Sequence, residues 1–322
     1  MHQWFPDYPT RDADIVDYRP FTLDGCPVPF RGPAIDPQAA PEGSFFTCLG
    51  AAQTYGCFVD RPYPDLLSDR LGLSALNLAV GGAGPGFYLQ YPALIAAMNR
   101  GRFVVVQAMA ARHEANSRFA ADGYVEYLRD RVSGDSIDTV SAWSRVLEET
   151  PDDAPRLVAE SRASWLESMR RLRAAITVPV VFLWFSQQKP AALAWPELRA
   201  EVGRRPTVEL VHRMFGAFPQ LVDAAMAKEA AAMCTAAVNC VSERGAGAPL
   251  INRWTGKPID PANYENRGVE YVALATGRND YYPSPEMHED AATALLGAVG
   301  GGCDRLGHRE GPEMAATARS RN

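Results

Sequence analysis

Residues 44–56 read SFFTCLGAAQTYG, and the organisation of the whole chain turns on them. Ser44 to Leu49 is a short apolar run rich in aromatics, and Gly50 stops it. A run of this length bounded by glycine fits a strand buried on both faces. Gly50 to Gly56 then reads as a turn leading into a helix. The first amides of a helix have no acceptor within it, so Gly50 to Gln53 is expected to point free N–H groups at an anion or oxyanion. A plain tight turn is the other reading of the same seven residues.

Working outward, four more runs read as strands: Leu76–Val80 (LNLAV), Phe103–Met109 (FVVVQAM), Val178–Phe185 (VPVVFLWF) and Val269–Ala275 (VEYVALA). Between and beyond them, apolar residues recur at helical spacing over Pro64–Gly72, Tyr88–Asn99, Val158–Ile176, Leu221–Val241 and Pro285–Val299. Continuously apolar strands separated by helices predict a three-layer α/β/α fold with a central parallel sheet of about five strands, flavodoxin-like in type. The expected organisation is an extended Pro-rich arm over 1–42 and a single domain over 43–300. That domain carries an inserted excursion at about 112–151, and a flexible tail follows over 301–322. In such sheets ligands bind beyond the carboxyl ends of the strands. That rule selects the segments after Leu49, Val80, Met109 and Ala275.

Composition narrows the chemistry by exclusion. The 322 residues carry 32 basic and 38 acidic side chains, a net charge of −6. This lacks the basic footprint of a nucleic-acid binder, so no nucleic-acid partner is expected. No run approaches the roughly 18 apolar residues of a membrane span. The polar, acidic start MHQWFPDYPTRDADIVDY is unlike a secretory signal, and six cysteines without a CxxC pair fit reduced thiols, so a cytoplasmic location is expected. The five histidines are scattered without HxxxH or HExxH spacing, and no metal site is expected. The glycine cluster GGAGPG after the second strand invites a dinucleotide reading. Counted from Gly82, however, Phe87 falls where the third glycine belongs, and the next strand carries Gln107 where an acid would meet the ribose. With no GxxxxGK[ST] either, no cofactor is expected.

The polar residues at the selected strand ends are the candidates for a site. Gln53 and Thr54 follow the first strand, and Arg112 and Asn116 follow the third, offering a donor fork and an amide to a substrate oxygen. A solvated loop with local pairing is the competing reading of the latter two. His288 lies where the loop 277–288 enters the last helix, with Asp280 in the same loop to orient it as acid or base. A structural histidine at a helix start is the competing reading. Trp184 and Phe185 read as core, and Ala224 to Val238 as a packed helix.

Taken together, these blocks resemble the order of the SGNH (GDSL-type) hydrolases. In that family a GDS motif after the first strand supplies a nucleophilic serine, a later glycine and asparagine help form the oxyanion hole, and a DxxHP segment supplies acid and base. Set against those motifs, LGAAQTYG places Ala52 at the serine position and Ala51 at the aspartate. YPSPEMH places Tyr282 at the catalytic histidine and His288 at the second one. Asn279 stands where the catalytic aspartate would be, Gly81 or Gly82 fits the second block, and Asn116 the third. Alanine cannot attack a carbonyl, and a phenol of pKa about 10 is a poor base at neutral pH. Serine-esterase chemistry is therefore not expected.

A closer similarity is to a bacterial family known only as a domain of unknown function. It rests on PFRGP (Pro29–Pro33), QTYG (Gln53–Gly56), RPYP (Arg61–Pro64), Val105–Asn116, Val180–Phe185 and Pro285–Ala292. The turn in that family favours Glu where this chain has Gln53.

These readings imply a crevice formed by Gly50, Ala52, Gln53, Thr54, Gly82, Arg112, Asn116 and Tyr282, with Asp280 and His288 as candidate catalytic groups. It would act on or bind a small polar, carbohydrate-like or anionic ligand. The alternative is a non-catalytic binding or assembly protein on the same scaffold.

Overall fold

The computed structural model describes residues 7–121, 125–190, 195–265 and 272–300. Its centre is a sheet of five parallel strands: β1 (Phe45–Leu49), β2 (Ser74–Asn77), β3 (Val104–Gln107), β4 (Val180–Ser186) and β5 (Ala236–Val241). Their order across the sheet is β5-β4-β3-β1-β2. Every residue of β1, β3 and β4 is buried, which explains why these strands read as unbroken apolar runs.

Alternate side chains serve two separate cores. Phe45, Leu49, Val104, Val106, Val180, Phe182 and Trp184 face one, while Phe46, Cys48, Val105, Val181, Leu183 and Phe185 face the other. The first face is covered by helix α2 (Pro92–Arg100) through Leu94 and Met98, and by helix α3 (Ala154–Ala175) through Trp165, Met169 and Leu172. The second is covered by helix α1 (Tyr63–Leu71) through Tyr63 and Leu67, and by helix α4 (Pro285–Gly300) through Met287, Ala291 and Leu295. Each such buried aliphatic or aromatic side chain contributes roughly 1.5–3 kcal/mol. A connection leaving β1 toward β2 and one leaving β2 toward β3 move in opposite directions across the sheet. With right-handed crossovers, their helices must fall on opposite faces. The crevice between the carboxyl ends of β1 and β3 is the consequence.

Two elements differ from the sequence reading. Residues 272–275 of the run expected as the fifth strand belong to a short helix, Val272–Thr276, and residues 269–271 lie outside the described ones. The fifth strand is instead β5, inside the segment expected as one helix. The helix there stops at Ala232, and β5 pairs with β4 from Ala236↔Val181 to Val241↔Ser186. Alanine favours helix locally, but the open edge of β4 offers a full ladder of hydrogen bonds, and tertiary pairing prevails.

The segment before β1 holds a hairpin, Phe21–Leu23 with Cys26–Phe30, whose Cys26, Val28 and Phe30 enter the first core. Residues 112–151 hold three short antiparallel strands (Phe119–Ala121, Tyr127–Asp130, Ser136–Asp138) and the helix Thr139–Glu149. The expected tail over 301–322 lies outside the described residues. No helix among the described residues is long and apolar enough to cross a membrane.

Candidate functional site

The turn after β1 is held from inside the protein. Gly50 N–H donates to the Tyr88 hydroxyl at 2.9 Å, and Ala51 N–H donates to Gln107 Oε1 at 3.2 Å. Thr54 Oγ1 donates to the same Gln107 oxygen at 2.7 Å and lies 3.0 Å from the Tyr63 hydroxyl. A Cβ on Gly50 would collide with Thr54 Oγ1 and Gln107 Oε1, so only glycine lets β1 end here. The expected anion cradle is thereby corrected at its first two amides. Their hydrogens are spent on a tyrosine and a glutamine supplied by neighbouring segments.

The three short motifs of the arm, the turn and the RPYP stretch converge on this turn. Arg31 is buried and donates to the carbonyls of Tyr55 (3.1 Å), Gly56 (2.8 Å) and Asp60 (2.5 Å), with its guanidinium 5.1 Å from the Tyr18 ring centre. Gly56 has φ +81°, and a Cβ there would lie 2.5 Å from Pro62 Cβ and 3.1 Å from Arg31 Nη1. The arginine fork thus satisfies the carbonyls of a left-handed helix end that no ordinary residue could form.

The positions matching the hydrolase motifs are likewise enclosed. Ala52 lies in an aromatic cluster with Tyr8, Tyr18, Tyr55, Phe58 and Tyr282. Tyr282 is buried, packs on Phe58 at 5.7 Å between ring centres, and its N–H donates to Asn279 Oδ1 at 2.9 Å. Side chains at Gly81 and Gly82 would collide with the Tyr8 hydroxyl and the Glu126 carboxyl arm respectively. Arg112 pairs with Glu126 at 2.8 Å, and its carbonyl accepts from Trp143 Nε1. Asn116 is buried in its own loop. Its Nδ2 donates to Ser161 Oγ at 3.0 Å, and its Oδ1 accepts from the N–H groups of Arg118 and Phe119.

His288 is fully buried between Tyr63 and Phe185, with ring centres 6.1 and 5.2 Å away. Its Nδ1 accepts the Tyr63 N–H at 3.0 Å. Burial, with the Arg31 charge adding to it, lowers its pKa to about 3, so the ring is neutral at physiological pH. Asp280 is exposed and lies elsewhere, at the wall of a separate cavity. The Ser284 hydroxyl caps the start of α4 by accepting the Met287 N–H, with Pro285 at the first position. The PSPEMH stretch is therefore, in its local geometry, a helix start that locks His288 onto α1.

What remains open is that cavity of about 200 Å³, lined by Gln53, Ser186, Gln187, Phe218, Asp280 and Tyr281 among others. Gln53 is 3% exposed, and its Oε1 has no hydrogen-bond partner. Gln187 Nε2 is also unpartnered, and the Tyr281 hydroxyl accepts from Gln220 Nε2 at 2.7 Å. Ser186 is the last residue of β4 and Gln187 follows it, at a strand end that is not among the four segments selected from the sequence. Among the described residues, no group of three His, Cys, Asp or Glu could hold a metal ion.

The sheet order and the two helical layers define a doubly wound α/β fold. Residues 7–122 match the family described as Domain of unknown function (DUF6473). No curated protein matches the chain. Among solved structures, it is similar to a family two carbohydrate esterase from Clostridium thermocellum in complex with cellohexaose, at 10% identity and a TM-score of 0.39, covering 83% of this chain and 67% of that one. It is also similar to a catalytic mutant of an acetylxylan esterase from Geobacillus stearothermophilus (10% identity, TM-score 0.35, covering 81% and 96%). A third is an alpha/beta hydrolase enzyme from the metagenome of Lake Arreo (12%, 0.35, 81% and 97%).

Proposed function

We propose that this protein is a non-catalytic binder of a small neutral, hydroxylated, carbohydrate-like ligand, held in the cavity beside Gln53. The reading is carried by one observation: Gln53 is buried at that wall with an unpartnered acceptor oxygen. A buried amide oxygen left without a donor costs about 1–3 kcal/mol, which a ligand hydroxyl would recover. Gln187 supplies donors and Asp280 acceptors, the mixture that sugar hydroxyls satisfy. An anionic ligand is disfavoured, because Arg112 is paired with Glu126 and the amides of Gly50 and Ala51 are taken. Turnover is disfavoured, because the side chain at the serine position is a methyl group and the Nδ1 lone pair of His288 is taken by the Tyr63 N–H.

The test is a thermal-shift titration with glucose, xylose and cellobiose, beside hydrolysis of p-nitrophenyl acetate. A sugar that binds raises Tm by about 5 °C at a hundredfold excess over Kd. The shift is lost in Gln53→Ala, and the ester is hydrolysed no faster than in buffer. Ester turnover that falls in His288→Asn would overturn the reading, as would the absence of any sugar-dependent shift.

A further inference from the structure

A second cavity, of about 250 Å³, shares no lining residue with the Gln53 cavity and is lined mainly by three elements. The glycine turn after β2 contributes Gly82, Gly84, Gly86 and Phe87, and the loop after β3 contributes His113 and Glu114. Helix α3 contributes Ser164, Ser168 and Arg171. Those three are four and three residues apart, so they share one helical face. The GGAGPG cluster thus has a structural purpose that its failure as a dinucleotide motif left open. A Cβ on Gly84 would lie 2.8 Å from His113 Nε2 and 2.9 Å from Glu114 Oε1. Glycine here lets an imidazole and a carboxyl group approach the backbone.

Both groups are buried, His113 at 8% and Glu114 at 5% exposure. Neither ring nitrogen of His113 has a hydrogen-bond partner. Glu114 Oε2 accepts from Ser164 Oγ at 3.3 Å and Ser168 Oγ at 3.2 Å, and a Gly86 N–H reaches the same carboxyl group. Every one of those donors is neutral. Burial holds the carboxyl up at about 7 and the His113 imidazole down at about 3, with the Arg112 charge lowering the latter further. A buried carboxyl group among hydroxyls, beside an imidazole with an unused acceptor, lacks a cationic donor. An ammonium group supplies both the charge and the hydrogens.

We infer that this cavity is a site for a small primary amine of the amino-acid class, its ammonium between Glu114 and His113 and its acid group toward exposed Arg171 at the rim. The space is about eight times the roughly 30 Å³ that one water takes up in the liquid, room for a small molecule such as an amino acid. Phe87 and Val125 form the apolar wall for its side chain.

The experiment is isothermal titration of the full chain with each of the common L-amino acids, with butylamine lacking the acid group, and with butyrate lacking the amine. Binding an ammonium below neutral pH displaces the Glu114 proton. The heat at pH 6.5 therefore varies with the ionisation enthalpy of the buffer, with Glu114 faced by His113, Ser164, Ser168 and Gly86 and with Arg171 at the rim. At least one amino acid is expected to bind, and Glu114→Gln weakens it about tenfold or more and abolishes the buffer dependence. Arg171→Ala, an exposed change that leaves folding intact, weakens the amino acid but not butylamine. Failure of every amine to bind overturns the inference, and so does binding that survives Glu114→Gln unchanged or that butyrate reproduces. These outcomes are independent of the Gln53 cavity, whose test uses neutral sugars.

Discussion

Replacing His288 by asparagine gives the protein a measurable change in how its stability depends on pH. Asparagine keeps an acceptor where Nδ1 receives the Tyr63 N–H, so the packing and the helix start are perturbed by a constant amount. What disappears is a titratable group. In the unfolded chain a histidine takes a proton at about pH 6.5. In the folded protein, burial between Tyr63 and Phe185 keeps His288 neutral down to about pH 3. Its folded pKa is depressed, and it is a base. The unfolded state therefore binds one more proton between those limits, and stability falls as pH drops through that window. The slope is about 1.4 kcal/mol per pH unit for one proton, so from pH 7.5 to pH 4.5 the contribution amounts to about 3 kcal/mol.

Urea unfolding of both proteins at half-unit intervals measures this directly. All other titrating groups are common to the two chains, so the difference between their stabilities isolates His288. The expected result is a gap that is constant above pH 7 and shifts in favour of His288→Asn by about 3 kcal/mol at pH 4.5. Parallel profiles would refute the reasoning. They would mean that His288 titrates in the folded protein as it does unfolded, in contact with solvent, and would return it to the list of candidate bases.

Arg31→Lys should cost about 3 kcal/mol, because one ammonium cannot replace a fork that serves three carbonyls, and each charged hydrogen bond contributes about 1.5–3 kcal/mol. A urea midpoint unchanged from wild type would show that the arm does not hold the turn. Gly50→Ala should cost about 2 kcal/mol or more, because the added methyl meets Thr54 and Gln107 in a packed core. Calorimetric unfolding tests it, and an unaltered Tm would mean that β1 can end without the glycine.

The sequence carried the fold class because its cause is local and repeated. Runs such as FVVVQAM and VPVVFLWF can be apolar at every position only if both faces of the strand are covered. The helices α1, α3 and α4 announced themselves by spacing, and Gly72 marks where α1 stops. The fifth strand was not legible in the same way. AAVNCV is half exposed and alanine-rich, while VALA further along has the composition of a strand and the geometry of a helix. Only the free edge of β4 distinguishes them, and an edge is a property of the assembled sheet.

The same division governs the candidate site. Ala52 and Tyr282, at the positions set against the hydrolase motifs, were visible in the sequence. Whether Thr54, Arg112, Asn116 and His288 face a ligand was not, because each is polar and each lies near a strand end. Tertiary structure supplied their partners: Gln107, Glu126, Ser161 and the Tyr63 amide, all remote in the chain. It left the Gln53 amide oxygen and both ring nitrogens of His113 without any. A polar residue becomes available for function by what the fold fails to give it. Periodicity and motif determine which residues are buried, but only the folded chain decides which buried polar atoms remain unpaired.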